Sequence, residues 1–422
     1  MKNVSDVVAC VVDSGLFCEQ AVTLAKTYKR VLYCVPGAIQ CAFPRLNNTK
    51  IGIGLEGIEV VESIFGDFFD EVDLWIFPDV YLATTQLFLE RLGKVVWGAR
   101  MAEELELSRD GCKRLMKAEG LPVGSWEMIK GTADLREFLK VHPKRWVKVN
   151  KYRGMFETFF SKDYRDVETR IDEIEYSLGA FKTELEFIVE EDLPDRVELG
   201  TDGYVVDGEY PTKLLSGIEI KDLAYLGIFK SYADLPEPLT RWNTAMAKHF
   251  KEYHARTFFS AECRIGKDHI PFMCDACIRS GSPPNELFQI FYENFSEIIW
   301  SGANGKLIDP IPVAKWGAEV LIHSPFADKN FQPVEFPQEF REFVKLRNAV
   351  KINGRFYAVP QAVGLPEIGA VCGFGNSMDE AFEMCKEVAS HVTGYYIDID
   401  VKQLDNAQQE VERMEEFNLK MF

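Results

Sequence analysis

The residues best placed to do chemistry stand in the stretch 258–284, FFSAECRIGKDHIPFMCDACIRSGSPP. Two apolar runs carry Glu262 and Asp275, and the polar GKDH between them reads as a hairpin turn. Arg279 follows, then a loop with Gly281 and Pro283. Two carboxylates beside an arginine suit a Mg²⁺ ion holding a nucleotide's phosphates. Mg²⁺ takes oxygen ligands and usually rests on one or two carboxylates plus substrate phosphates. A hairpin closed by a structural salt bridge would carry the same residues.

Other positions extend the question. Lys148 sits mid-strand in WVKVN, on the face it shares with Trp146 and Asn150. A buried lysine needs a partner, which a phosphate would supply; a solvated strand face accounts for it equally. Glu190 and Glu191 close a strand, where successive side chains point opposite ways. One of them could accept a ribose hydroxyl while the neighbouring backbone reads an adenine edge, with Glu198 joining after a short turn. A solvated acidic corner is the other reading. Residues 152–158, YRGMFET, place Arg153 and Gly154 in a polar turn whose amides could fold over phosphates. His249, His254, His269 and His323 show no ligand spacing, and the Cys274-x-x-Cys277 pair has no second pair at zinc spacing. Gly-x-Ser-x-Gly, Walker A, His-Glu-x-x-His and Gly-x-Gly-x-x-Gly motifs are absent.

The elements that must position these residues fall into three regions. Residues 7–12, 30–36, 72–80 and 94–98 read as buried strands, alternating with helices over 17–29 and 82–92. That alternation indicates a doubly wound α/β domain over 1–100, with ligands at the carboxyl ends of its strands. Residues 101–305 mix α and β: a helix over 101–119, a helix in TADLREFLKVH, a strand over 145–151, a helix over 163–177 and a strand over 181–193. Residues 197–209 read as two strands joined by Asp-Gly turn chemistry. Residues 306–422 form a small α+β unit: a strand in AKWGAEVLIHS, a hairpin in AVKINGRFYAVPQ, a strand GAVCGFG, a helix over 377–393 and a charged terminal helix.

Composition narrows the classes. With 48 Lys plus Arg against 66 Asp plus Glu, the formal charge is −18, which argues against nonspecific nucleic-acid binding. The ten cysteines, several inside apolar strands, read as reduced thiols. The N-terminus lacks a signal-peptide pattern, and no run reaches the ~20 apolar residues of a membrane helix. A cytoplasmic protein acting on small molecules, away from membranes, is expected.

The order of these features resembles the ATP-grasp superfamily, and within it the phosphoribosylamine–glycine ligase family. WIFPDV, VVWGA and Leu105-Glu106-Leu107-Ser108-Arg109 are similar to the family's G-P-E strand end, its (I/V)-F-G-P turn and its L-E-x-S-K. CKRLMKAEGLPV resembles K-x-F-(M/L)-x-x-x-G-I-P-T, residues 181–199 resemble V-x-x-E-E-x-L-x-G-x-E, and residues 275–283 resemble E-x-N-x-R-x-G-D-P. INGRFYAV and the following GAVCGFGNSMDEAFEMCKEV are similar to the family's C-terminal domain. The resemblance implies an ATP-grasp fold with a lid and ATP subdomain near 121–190. It also implies ATP and Mg²⁺ as cofactors and carboxylate and amine substrates. Lys148 and Arg109 would hold phosphates, Glu190 or Glu191 with Glu198 would bind adenosine, and Asp275 with Glu262 would bind Mg²⁺. Arg279 and the 281–283 loop would face the carboxylate or the transferring phosphoryl group. The implied reaction passes through an acyl phosphate that an amine displaces. Departures from the pattern are Cys277 for an asparagine, Arg109 for a lysine, Ser282-Pro283-Pro284 for D-P-E, and no N-T-G-G-M-G loop between 210 and 235.

Overall fold

A computed structural model describes residues 1–36, 48–151, 158–361 and 367–419, excluding the side chain of Asp275. Two compact units emerge: residues 1–103, 199–261 and 277–422, and residues 104–198 with 262–276. Strands Val197–Val206 and Arg256–Ile265 each pass from one unit into the other.

In the first unit the apolar runs near the N-terminus make a five-stranded sheet. Its order is Ile58–Val61, Arg30–Cys34, Val8–Val12, Leu74–Ile76, Val95–Trp97. All four pairings are parallel. Val8–Val12 is buried throughout, as a central parallel strand covered on both faces must be. Val8, Cys10 and Val12 pack with Trp75, Phe77 and Leu89 of the helix Ala83–Arg91. Ile58–Val61, a strand not among those read from the sequence, is an edge strand. A larger antiparallel sheet aligns Lys213–Ile220, Ala224–Ser231, Trp316–His323, Glu367–Gly375 and Val344–Leu346. The expected hairpin is Ala349–Ile352 with Arg355–Ala358, turning at Asn353-Gly354 with positive φ at both residues. Tyr395–Asp400 forms no strand.

In the second unit a four-stranded antiparallel sheet runs Trp126–Lys130, Glu186–Glu191, Arg145–Val149, Thr158–Ser161. Helices Thr132–Val141 and Tyr164–Leu178 cover one face, burying Leu135, Leu139, Ile171 and Ile174 against Val147, Val149, Phe187 and Val189. Asp163 and Asp166 form a capping box that starts the second helix.

Three sequence expectations are corrected. The helix expected over 101–119 breaks at Ser108 into short turns and a helix Arg109–Ala118. Asn150 is the reason: its carbonyl and side-chain oxygens accept from the amides of Arg109 and Asp110, which end a helix rather than continue one. The strand expected over 181–193 begins only at Glu186, after a 3₁₀ turn. Residues 197–206 form one strand, not two. Of the two Asp-Gly pairs, Asp207-Gly208 makes the turn, with φ of 50° and 86° and paired bonds between Val206 and Glu209. Asp202-Gly203 stays extended because Asp202 is buried and accepts from Ser260 Oγ at 2.6 Å and Tyr225 Oη at 2.5 Å.

Burial raises the Asp202 carboxyl to about 6, although both hydroxyls pull it down. Unfolded, the group loses its proton near 3.8; folded, it holds the proton to about 6. The folded state therefore binds more protons in that window, and this contribution to stability falls as pH rises through it. The expected size is on the order of 2–3 kcal/mol. Asp202→Asn should remove that slope: its melting temperature relative to wild type should rise between pH 4.5 and pH 8. A constant difference across that range would show that the charge of Asp202 does not set the dependence.

Candidate active site

In the second unit the site is built on the face of the four-stranded sheet opposite the helices. Alternation sends Val147, Val149, Phe187 and Val189 into the helix-covered core. Trp146, Lys148, Ile188 and Glu190 therefore share the other face. Trp126 and Trp146 stand directly across from Glu190 on its two neighbouring strands. The helix Arg109–Ala118 supplies Lys113, which is 3% exposed. Its Nζ lies 3.3 Å from Glu190 Oε1, and Lys148 Nζ lies 3.5 Å from Glu190 Oε2. One carboxylate thus serves two buried ammonium groups. Arg109 is buried as well, and its Nη1 donates to the carbonyl of Val149 at 2.6 Å. A concavity of about 730 Å³ opens beside Trp126 and Met128, with Arg114 and Lys117 on its wall.

Of the paired acids, only Glu190 meets the lysines. Glu191 points to the other face, 3.7 Å from Arg145, with its side chain 56% exposed. Glu198 accepts from Arg264 Nε at 2.9 Å. Burial alone would lower the Arg264 pKa; the charges of Glu198, Cys274 and Glu262 together raise it. Glu262 therefore lies in the field of Arg264, on the strand Arg256–Ile265. Asp275 is in the strand Pro271–Cys277, across the 266–270 turn, and its side chain lies outside the described residues. Arg153 and Gly154 also lie outside them. Among the described residues no group of three or more His, Cys, Asp or Glu side chains is arranged to hold a metal.

Arg279 belongs to the first unit. Its Nε lies 3.8 Å from Asp79 Oδ1, and Ser14 Oγ donates to Asp79 Oδ2 at 3.0 Å. Asp13 and Asp79 follow the strands Val8–Val12 and Leu74–Ile76, at the carboxyl end of the parallel sheet where such folds bind ligands. Asp13 itself is engaged by the Tyr33 hydroxyl and the amides of Gly15 and Phe17; burial outweighs these bonds and raises its carboxyl to about 6. Beyond the 281–284 loop, Ser282 Oγ donates to Glu286, which also holds Arg347 Nε at 2.7 Å. Arg347 reaches Glu367 with Nη1 at 2.8 Å. Burial first, then the neighbouring Glu286, hold the carboxyl of Glu319 far above the usual range.

Sequence reasoning missed Asp79, Glu286, Arg347 and Lys113. Lys113 carried a usable signal. It stands four residues after Arg109, a spacing that places both on one helix face. The contacts of Arg347 join it to Glu286, 61 positions away, and to Glu367, 20 positions away, and left no local trace.

No protein-family model and no curated protein matches the chain. Solved structures do. The phosphoribosylamine–glycine ligase of Thermotoga maritima aligns with 93% of this chain and 99% of its own, at 17% identity and a TM-score of 0.67. The biotin carboxylase domain of Hydrogenobacter thermophilus 2-oxoglutarate carboxylase, in complex with MgADP, ADP and bicarbonate, covers 97% and 98% at 10% identity and 0.65. L-amino acid ligase from Bacillus licheniformis covers 94% and 100% at 13% identity and 0.59. The chain has the ATP-grasp fold. At these identities it is the ATP-grasp architecture that is shared, across the full length of each neighbour.

The asymmetry between the two acids is testable. Glu190→Ala leaves two buried lysines sharing no acid, a change that typically costs about 3–5 kcal/mol at fully buried pairs. Glu191→Ala, at an exposed pair, should cost under about 1 kcal/mol. Thermal unfolding of both variants should rank them so; equal losses would overturn the placement of Glu190.

Proposed function

We propose that the protein is an ATP- and Mg²⁺-dependent carboxylate–amine ligase that releases ADP and phosphate, with substrates other than phosphoribosylamine and glycine. The observation that carries this reading is the buried Lys113–Glu190–Lys148 arrangement within an ATP-grasp fold. Its donor chemistry fits a nucleotide. Two ammonium groups share one carboxylate, and Glu190 Oε1 makes no hydrogen bond among the described residues. Oxygen ligands from Glu262 and Asp275 suit Mg²⁺, whereas the Cys277 thiol does not. When bound, MgATP supplies the γ-phosphoryl group that activates a carboxylate as an acyl phosphate.

The chain's own residues then act mainly by position and charge, as phosphoryl transfer requires. Lys148 and Arg109 hold phosphate oxygens; Glu190, with Glu198, faces the nucleoside; Arg279, steered by Asp79, faces the carboxylate substrate. Arg153 and Gly154 contribute to covering the phosphates. The changed acceptor is supported at 213–231. That stretch lacks the N-T-G-G-M-G sequence of the resembled family and forms two long strands, Lys213–Ile220 and Ala224–Ser231.

A second reading is a protein that binds nucleotide without turnover. It is favoured by Cys277 and by Glu198 being taken by Arg264. ADP release measured with Mg²⁺ across a panel of amino acids and amines separates the two. Release that requires a carboxylate and an amine together supports the ligase; tight ATP binding with no release for any pair supports the second reading. Lys148→Ala should lower ATP affinity at least tenfold. Asp275→Asn should abolish Mg²⁺-dependent turnover, and unchanged turnover would remove Asp275 from the metal site.

A further inference from the structure

We propose that Lys113 is a second phosphate-binding lysine, paired with Lys148 across Glu190; this rests on the nucleotide-binding reading above. Lys113 is 3% exposed, and a lysine so buried is stable only with a charged or strongly accepting partner. Glu190 is its acidic partner among the described residues, and it is shared with Lys148. Both contacts, at 3.3 and 3.5 Å, are longer than the 2.7–2.9 Å of a well-formed ammonium–carboxylate bond. Glu190 Oε1 lacks a hydrogen bond of good geometry. The carboxylate therefore holds Lys113 beside Lys148 through a single long contact that does not saturate the protons of the Lys113 ammonium. Taken by themselves these three groups carry a net charge of +1, inside a wall of Trp126, Trp146 and Ile188. An oligophosphate is the complement such an arrangement selects: compact, multiply anionic, and rich in acceptors. A nucleoside without phosphates offers nothing to the second lysine.

The specificity follows from the charge. Lys113→Met keeps the length of the side chain and removes the ammonium, so ADP should lose about tenfold or more in affinity while adenosine changes less than twofold. Lys113→Arg should recover most of the ADP affinity. Binding of ADP with Mg²⁺, AMP and adenosine is read by calorimetry on the full chain, after each variant gives a wild-type circular dichroism spectrum. Equal losses for ADP and adenosine, or none for either, would make Lys113 a structural anchor of Glu190 and overturn the proposal while leaving the nucleotide reading intact. A wild-type protein that binds no ADP would overturn both. Should Lys113→Met fail to fold, Lys113→Gln read in the same way decides between the outcomes.

Discussion

One carboxylate placed between two buried lysines is the constraint on which the second unit depends. Glu190 occupies the end of Glu186–Glu191, whose pairing with Arg145–Val149 sets Lys148 on the same face. Lys113 reaches it only because the helix Arg109–Ala118 starts where it does. Asn150, just beyond the strand carrying Lys148, bonds the first amides of that helix. Asn150 also donates to Glu186 at the far end of the Glu190 strand. The charged cluster and its scaffold are thus tied by the same residue. A shift of the helix start would move Lys113 and leave a buried charge unmatched, which is far costlier than losing an exposed ion pair.

The first unit solves a different problem with the same means. Arg279 emerges from a strand into the 281–284 loop, and its long side chain has many rotamers. Asp79, itself held by Ser14, gives that side chain a direction. Below the loop, Arg347 bonds Glu286 and Glu367, and burial with the neighbouring Glu286 holds the Glu319 carboxyl far above the usual range. Three carboxyls around one guanidinium would repel each other if all were charged, and the raised pKa of Glu319 expresses that repulsion together with its burial.

Much of this was legible in the sequence where the signal is local. The parallel sheet showed itself as buried β-branched runs such as VVACVV, and the hairpin at Asn353-Gly354 as turn chemistry. Lys148 was visible as a charge inside an apolar strand. What stayed hidden depends on contacts between distant positions. Two Asp-Gly pairs within seven residues look alike until Tyr225 and Ser260 are known to claim Asp202. Glu190 and Glu191 are equivalent in sequence, and only the helices covering one sheet face separate them. Lys113 shares a helix face with Arg109 by its spacing, but its burial is decided by a strand more than 70 residues later.

The buried cations also bear on the choice between a ligase and a passive nucleotide binder. Replacing a buried ion pair by well-packed apolar residues is often neutral or stabilising. A cluster with two lysines on one glutamate is a poor way to stabilise a sheet, and the nucleotide proposed above supplies a rationale for it. Either reading needs such a ligand; they part at the metal and the acceptor. In the proposed ligase, Glu262 and Asp275, on the two strands of one hairpin, offer the oxygen donors that Mg²⁺ takes. The departures from the resembled family fall on both sides of the proposed reaction: Arg109 and Cys277 at the proposed phosphate and metal positions, Ser282-Pro283-Pro284 and the 213–231 strands toward the proposed second substrate. Acids at 262 and 275 together with Lys148 and Arg279 are what favour the proposed ligase, as a changed acceptor with the phosphoryl-transfer chemistry kept.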